Sequence, residues 1–413
     1  MALARFLQIS DLHLGRPFAW LPADRREERR RDQQRVLESA VHQAMERGVH
    51  AILIPGDLFD SPVVDAGLLT FAVKTFGASG CPPVYIAPGN HDPASTTNAA
   101  WAPRLLQARG IAWPEHVHIF DQPQWTARAV PRLPGVRVWG RCFTANVEST
   151  DRPLAPEMLR EIGASDPMGF DLALFHGSRE GQCPPSQKIT APFSDEEVAR
   201  SPFVYHAVGH YHAASRIEQP LTEGVKSAGA RLMYAGSAVA LDYTECGSHG
   251  ALEVRVEYGH RLPFIEVEPI ELDRRRVHEL SVDVTGAVSP DQVDRRILKA
   301  LDVAGVGEPD LVLVRLGGRL DAGVRWTQPG HDLRTRAFHL RFDASGLRPD
   351  HDLAAYRAGE GRTTEERFAR QLLSEIDAES NPESRAALER ALYYGLDAFR
   401  LREVVPVWDE VAS

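Results

Sequence analysis

Short apolar runs alternate with amphipathic segments through the N-terminal part of the chain. Leu3–Ile9, Ala51–Ile54 and Val84–Ala87 have the length and continuity of buried strands. Between the first two, Asp24–Arg47 places Val36, Leu37, Ala40, Val41, Ala44 and Met45 on one helical face and stops at Gly48. A second helix is predicted over about Asp65–Phe76. This β-α-β-α-β order implies a layered α/β domain whose functional groups sit at the carboxyl ends of the strands. Arg25, Arg26, Arg29, Arg30 and Arg31 alternate with Asp24, Glu27, Glu28 and Asp32, which reads as a solvated, charge-balanced helix face. A phosphate-contacting role for these arginines is the weaker reading.

From Pro93 to Asp166 the pattern is broken by prolines, with short strand-like runs such as Val136–Trp139. Regularity returns with the strand Phe170–Phe175, a capping box at Ser194–Glu197, the strand Phe203–Val208, and strands at Arg231–Ser237 and Ala251–Val256. Arg231–Ser237 and Ala251–Val256 read as strands of a second sheet, which makes a sandwich of two sheets flanked by helices the expected arrangement. Around Glu271–Arg276 the pattern resets. Ser281–Val284, a helix opened by Ser289-Pro290, and Leu311–Val314 form a compact β-α-β module, followed by a strand at Ala337–Phe342. Gly346–Gly361 is polar and turn-rich, as in a linker. The tail from Thr364 is helical, with Phe368, Leu372 and Ile376 on one face and Leu388, Leu392 and Phe399 on a further helix.

The length of 413 residues suggests two or three domains, on a prior of about 100–200 residues each. Cys81, Cys142, Cys183 and Cys246 never fall as C-x-x-C, which argues against a disulfide framework or a thiolate zinc site and for a reducing compartment. With no cleavable leader and no membrane-length apolar run, a soluble cytoplasmic protein without membrane contact is expected. The net charge of −10 complicates one function class. A protein that binds nucleic acid through bulk positive charge should be basic. Either the ligand is of another kind, or the binding face is local and metal ions supply much of the positive field.

Five clusters each close an apolar run: Asp11-x-His13, Gly56-Asp57, Gly89-Asn90-His91-Asp92, His176-Gly177 and Gly209-His210-x-His212. Singly, each has a bland explanation, since a lone buried histidine is more often a satisfied core residue than a ligand. Together, all at strand exits, they are hard to obtain as an accident of packing. Carboxylates, imidazoles and one amide without thiolate suit divalent manganese, iron or zinc. Two ions sharing one carboxylate lie about 3.5–4 Å apart, clamp a phosphoryl oxygen and activate hydroxide for in-line attack. A histidine beside the ions would protonate the leaving alkoxide.

These clusters resemble the signature of calcineurin-like metallophosphoesterases. The strings Ser10-Asp11-Leu12-His13-Leu14-Gly15, Gly56-Asp57-Leu58-Phe59-Asp60, Gly89-Asn90-His91-Asp92, Gly209-His210-Tyr211-His212 and Tyr234-Ala235-Gly236-Ser237 resemble the SbcD-type branch, nuclease subunits of DNA double-strand-break repair complexes that include YhaO-like proteins. The resemblance spans about residues 5–255. It implies an α/β fold: a four-layer metallophosphoesterase sandwich, two β-sheets flanked by helices, over 1–270. A small α+β capping domain would follow over 271–345, then a linker and C-terminal helical segment over 346–413. By the same resemblance Asp11, His13 and His212 would hold one ion, Asn90, His176 and His210 the other, and Asp57 would bridge them. His91 would be the proton donor, oriented by Asp92, with Asp60 behind the ligands and Tyr234–Ser237 a structural turn. The family's metal is manganese (Mn2+). Its substrate is DNA and its partner an SbcC-like coiled-coil ATPase, for which the C-terminal helices would be the dock unless they pack on their own domain. The region of 93–166 is where the family often forms homodimers or contacts DNA.

The protein Ser/Thr phosphatases of the superfamily read G-D-x-x-D-R-G and G-N-H-E, whereas here Ser61-Pro62 follow Asp60 and Asp92 follows His91. Hydrolases of small phosphodiesters such as cyclic nucleotides are the enzyme alternative, but would leave Glu271–Ser413 without a role. A non-catalytic scaffold ranks last, because every expected ligand is present.

Overall fold

The computed structural model describes residues 2–163, 165–166, 168–184, 187–218, 229–259, 263–321 and 324–401. The chain divides into two compact units, 1–277 and 278–413.

In the first unit, β1 (Ala2–Gln8), β2 (Ala51–Ile54), β3 (Val84–Ile86) and β4 (Val117–Ile119) lie side by side and parallel. The helices α1 (Ala23–Glu46), α2 (Ala66–Phe76) and α3 (Pro103–Ala108) connect them. A second sheet comprises β5 (Thr126–Ala129), β6 (Val136–Gly140), β7 (Phe170–His176), β8 (Tyr205–Gly209), β9 (Ser215–Glu218) and β10 (Ala230–Tyr234), with the short α4 (Asp195–Arg200) between β7 and β8. Its inner strands β6, β7, β8 and β10 are parallel, and β5 and β9 close the edges antiparallel. The expected place of Ala251–Val256 in the second sheet is corrected: β11 (Gly250–Tyr258) pairs antiparallel with β1 and, with β12 (Phe264–Glu271), returns the chain to the first sheet in the order β12-β11-β1-β2-β3-β4.

The two six-stranded sheets face each other and are flanked by helices, the expected layered sandwich. Phe6, Leu53, Tyr85 and Val254 from one sheet pack on Val138, Phe170, Leu172 and Tyr205 from the other. Buried polar groups in such a layer must find partners. Tyr205 Oη donates to Gln8 Oε1 at 2.7 Å, and Gln8 Nε2 donates to the Met233 carbonyl at 2.9 Å, so the polar atoms link one sheet to the other.

Helix α1 buries the predicted face, Val36, Leu37, Ala40, Val41 and Ala44, with Met45 at its margin. The solvated reading of its charged face needs correction at two positions. Arg29 is fully buried and donates two hydrogen bonds to Asp273, at 2.9 and 2.6 Å. Asp32 is likewise buried, against Arg274 and Arg275 at 2.9 and 2.5 Å. These partners lie in the stretch just after β12, over two hundred positions away, so they staple the outer helix to the end of the sandwich. Breaking such a pair strands a buried charge. Asp273→Ala is expected to destabilise this unit by about 3–5 kcal/mol, measured by urea unfolding; a loss below about 1 kcal/mol, the range of exposed pairs, would place Arg29 in contact with water.

The second unit contains β13 (Val277–Asp283), α5 (Pro290–Val303), β14 (Leu311–Leu320), α6 (His331–Arg334) and β15 (His339–Pro349), with the sheet order β13-β14-β15. Val293, Ile297 and Leu301 of α5 cover this sheet. The supposed linker is partly regular: 346–349 continue β15 beside β14, and Leu353–Ala358 form α7. Helices α8 (Thr364–Ala378) and α9 (Pro382–Leu401) pair through Leu373, Ile376, Leu392 and Leu396, with Phe368 and Leu372 half-buried beside them. Among the described residues no helix is long and apolar enough to cross a membrane.

Candidate metal centre

The five motif clusters converge because parallel neighbouring strands deliver their exits to one edge of the sandwich. Asp11 and His13 follow β1, Asp57 follows β2, and Asn90 and His91 follow β3, while β7 ends in His176 and β8 leads into His210 and His212. Backbone bonds lock adjacent exits together: His13 N–H donates to Asp57 O at 2.9 Å and Leu14 N–H to Leu58 O at 2.8 Å. The second sheet joins through the amide of His210, which donates to the Asp11 carboxylate at 3.0 and 3.2 Å.

Four of the expected ligands have left-handed backbone despite carrying bulky side chains: Asp11 (φ 49°), His13 (48°), Asp57 (51°) and His210 (113°). Such conformations cost of order 1–3 kcal/mol each and persist where surrounding bonds over-determine them, typically at functional sites. Gly89 is required by close approach, since a Cβ there would lie 2.3 Å from Asp57 Oδ1.

Asp57 stands at the middle. Its Oδ2 is 3.3 Å from His176 Nε2 and 3.6 Å from His13 Nε2, and its Oδ1 accepts the His91 amide at 2.9 Å. Each imidazole is oriented from behind. His176 Nδ1 donates to Pro55 O at 2.9 Å, His13 Nδ1 meets Asp60 Oδ1 at 3.1 Å, and His210 Nε2 donates to Lys188 O at 2.7 Å. In the neutral rings the opposite nitrogens then carry the lone pairs. The buried His13 Nε2, His176 Nε2 and Asn90 Oδ1 have no hydrogen-bond partner. Orphaned acceptors at one point are what bound cations would satisfy.

Without cations the Asp57 charge favours a proton on His176, which a bound ion would displace. Burial opposes charge on Asp57, but His176 and His13 outweigh it and hold the carboxyl well below the usual carboxylate range. Burial also opposes charge on His176, yet the Asp57 carboxylate raises the ring to about 9. For His210, burial and the neighbouring His176 act together and lower the ring to about 3, leaving a neutral donor.

The structure brings Asp11, His13 and His212 within reach of one cation, and Asp11, Asp57 and His176 within reach of another. His210 and Asn90 line the same 410 Å³ cavity, the His210 ring 5.2 Å from that of His176. His91 lies at its side, 4.7 Å ring to ring from His13. The donor set is oxygen and imidazole only, and it fits a pair of divalent ions.

The expected pairing of Asp92 with His91 is corrected. Asp92 is fully buried, and its oxygens accept the amides of Gly89 (2.8 Å), Asp57 (3.2 Å) and Phe59 (3.2 Å). Burial and the Asp57 charge push its carboxyl up to about 8, while the amides of Gly89 and Phe59 act the other way. Its work is to hold the β2 and β3 exits together. His91 is held instead by the Asp60 carbonyl, 3.1 Å from Nδ1. Asp60 does stand behind the ligands, between His13 and Arg16. The turn after β10 is structural as expected, Ser237 N–H donating to His212 O at 2.9 Å and Ser10 Oγ to Gly236 O at 3.2 Å.

Sequence reasoning missed Glu245 and Gln33. Glu245 Oε1 holds His212 Nδ1 at 2.7 Å, while its Oε2 accepts from Ser237 Oγ and Leu241 N. Burial disfavours a charged His212 ring, but Glu245 reverses the balance and raises it. Gln33 Nε2 donates to the carbonyls of Leu12 and His13 at 2.9 and 2.8 Å. Glu245 carries no signal in the sequence, since it sits in an aperiodic turn, whereas Gln33 falls on the apolar face of α1 one turn before Val36 and Leu37, where a polar side chain is itself the signal. Glu245→Gln is expected to weaken metal affinity about 10–100-fold, read by competition with a fluorescent chelator; unchanged affinity would remove His212 from the ligand set.

A family model described as calcineurin-like phosphoesterase matches residues 4–214. A comparison with curated proteins finds no match. Among solved structures, the chain is similar to TT1561 of Thermus thermophilus, at 14% identity, covering 65% of this chain and 99% of that one with a TM-score of 0.35. It is similar to purple acid phosphatase PPD1 from yellow lupin (Lupinus luteus) seeds, at 12% identity over 65% of this chain and 52% of that one, TM-score 0.38. A dimetal phosphatase from Danio rerio matches at 14% identity over 63% and 98%, TM-score 0.34.

Proposed function

We infer that this chain, which belongs to the calcineurin-like phosphoesterase family, is a nuclease of the SbcD type that hydrolyses phosphodiester bonds in DNA with two divalent ions, Mn2+ by preference. The family makes it a metal-dependent phosphoester hydrolase; the substrate and the metal are our own step. The observation that carries the reading is Asp57 Oδ2, shared between His13 Nε2 and His176 Nε2, with His91 beside it.

When bound, the ions would polarise the phosphoryl oxygens and make water nucleophilic. The protein's own residues supply the rest. Asp60 O engages His91 Nδ1, so Nε2 is the nitrogen left to deliver a proton to the departing oxygen. Arg16, Asn146, Gln187 and Lys188 line the cavity and give it polar walls, with Arg16 paired to Asp60 and Lys188 to Glu148. The positive field for a phosphate backbone would therefore come chiefly from the bound ions, in keeping with a net charge of −10.

Support for DNA over a small phosphodiester comes from the five SbcD-like strings and from the unit 278–413, beyond the family match at 4–214. The half-exposed apolar edge of α8 and α9, with Phe399 42% exposed, suits docking of an SbcC-like ATPase. Purified protein with Mn2+ is expected to degrade labelled single- or double-stranded oligonucleotides, and to lose that activity in EDTA. Hydrolysis of bis-p-nitrophenyl phosphate and cyclic nucleotides without any oligonucleotide cleavage, with or without a partner ATPase, would instead establish the small-substrate alternative.

A further inference from the structure

The mechanism leaves one buried cation unused. Arg141 directly follows β6, the strand that pairs with β7, so it emerges one strand over from His176. Its backbone is fixed, the amide donating to Leu174 O at 3.4 Å and the next two amides to Gln122 O and Pro88 O. The residue is only 8% exposed, and its Nη1 is buried without a hydrogen-bond partner. The ionic neighbour it has, Asp151, is 69% exposed and 4.0 Å away. An exposed carboxylate at that distance stabilises little, whereas removing a guanidinium from water is expensive. Its charge is therefore poorly compensated by the protein.

Arg141 lines a cavity of 280 Å³ together with Phe143, Ser149, Thr150 and His176. Val147 and Glu148 form a wall common to this cavity and to the metal-centre cavity, and His176 reaches from one to the centre of the other. Of the acidic groups that line the Arg141 cavity, Glu148 is paired with Lys188 at 2.5 Å and Asp151 points largely to solvent. Guanidinium groups match phosphate oxygens bidentately.

We propose that the Arg141 cavity is a second phosphate subsite, which takes the phosphodiester next to the scissile one in a nucleic-acid substrate. This rests on the phosphodiesterase reading and deepens it, because a subsite for a neighbouring phosphate selects a chain of phosphodiesters over an isolated one.

The test is equilibrium binding to the Mn2+-loaded full chain by calorimetry, with thymidine 3′,5′-bisphosphate against the 3′- and 5′-monophosphates. Wild type should bind the bisphosphate at least ten-fold more tightly than either monophosphate. Arg141→Gln should reduce that ratio to below two-fold, and Arg141→Lys should retain part of it. A wild type without the ten-fold preference overturns the subsite, as does an Arg141→Gln protein that keeps it. Equal weakening of all three ligands also overturns it, since Arg141 would then act by positioning His176. Turnover of bis-p-nitrophenyl phosphate by the wild type is read separately: its absence beside an intact bisphosphate preference removes the hydrolytic reading and leaves the subsite.

Discussion

Replacing His91 by alanine is expected to lower the rate of oligonucleotide cleavage by about 10²–10⁴-fold, the usual contribution of a positioned proton donor. Bound metal should stay unchanged. The ring bonds the Asp60 carbonyl through Nδ1, and the contact His91 makes with Asp57 is through its backbone amide, which alanine keeps. A second comparison separates proton donation from mere positioning. The sugar oxygen leaving from DNA is strongly basic and needs a proton as it departs, whereas p-nitrophenolate is a weak base and leaves without one. The His91→Ala deficit should therefore shrink by an order of magnitude or more with bis-p-nitrophenyl phosphate. Equal deficits on both substrates would mean that His91 acts by holding the substrate, and loss of metal would place it among the ligands.

The second large effect is at Asp57. Asparagine preserves its shape and can still accept the His91 amide, but it cannot offer one anionic oxygen to two cations. It would instead present either an amide group or a neutral oxygen to His13 and His176, whose facing nitrogens are 3.6 and 3.3 Å from Oδ2. Asp57→Asn is expected to weaken at least one metal site by more than about 100-fold, exceeding the usual effect of residues that only orient ligands. Activity should fall to the uncatalysed background on every phosphoester. Metal content by mass spectrometry, together with rates on bis-p-nitrophenyl phosphate, reads both. Retention of two ions per chain would show that the carboxylate is not shared.

Asp92 offers a contrast. In sequence the two carboxylates look alike, each beside a glycine-bearing strand exit, and Asp92 is the nearer to His91. In the folded chain Asp92 faces backward into three amides and Asp57 faces forward into the imidazoles. Adjacency along a chain does not give the direction of a side chain when the intervening loop is tightly bent, so the sequence supports Asp92 as a site residue but misassigns its contact.

The strand exits themselves were legible for a physical reason. Parallel strands must bury continuous apolar runs, so β1, β2, β3, β7 and β8 announce themselves, and polar clusters immediately beyond them fall at a single edge. The inner face of α1 was equally plain, through the spacing of Val36, Leu37, Ala40, Val41 and Ala44. What stayed hidden depends on partners remote in the chain. Arg29 and Asp32 continue the apolar stripe of α1 toward its start, but their charge reads as solvated because the groups that match it, Asp273 and Arg275, lie more than two hundred positions later. Glu245 is 33 positions from the His212 it orients, in a turn without periodicity. The extension of β15 through 346–349 was obscured by its polar, glycine-bearing sequence, which pairs with Gly317–Leu320 through backbone atoms that any composition possesses. Arg141 is similar: one arginine after a short strand means little until the structure places it in a cavity whose wall includes His176.

The most direct measurement is an anomalous difference map from crystals grown with Mn2+. Two peaks about 3.5–4 Å apart, both in contact with the Asp57 carboxylate, one beside Asp11, His13 and His212 and the other beside Asn90, His176 and His210, are the expected result. A single peak, or two peaks that do not share Asp57, would contradict it.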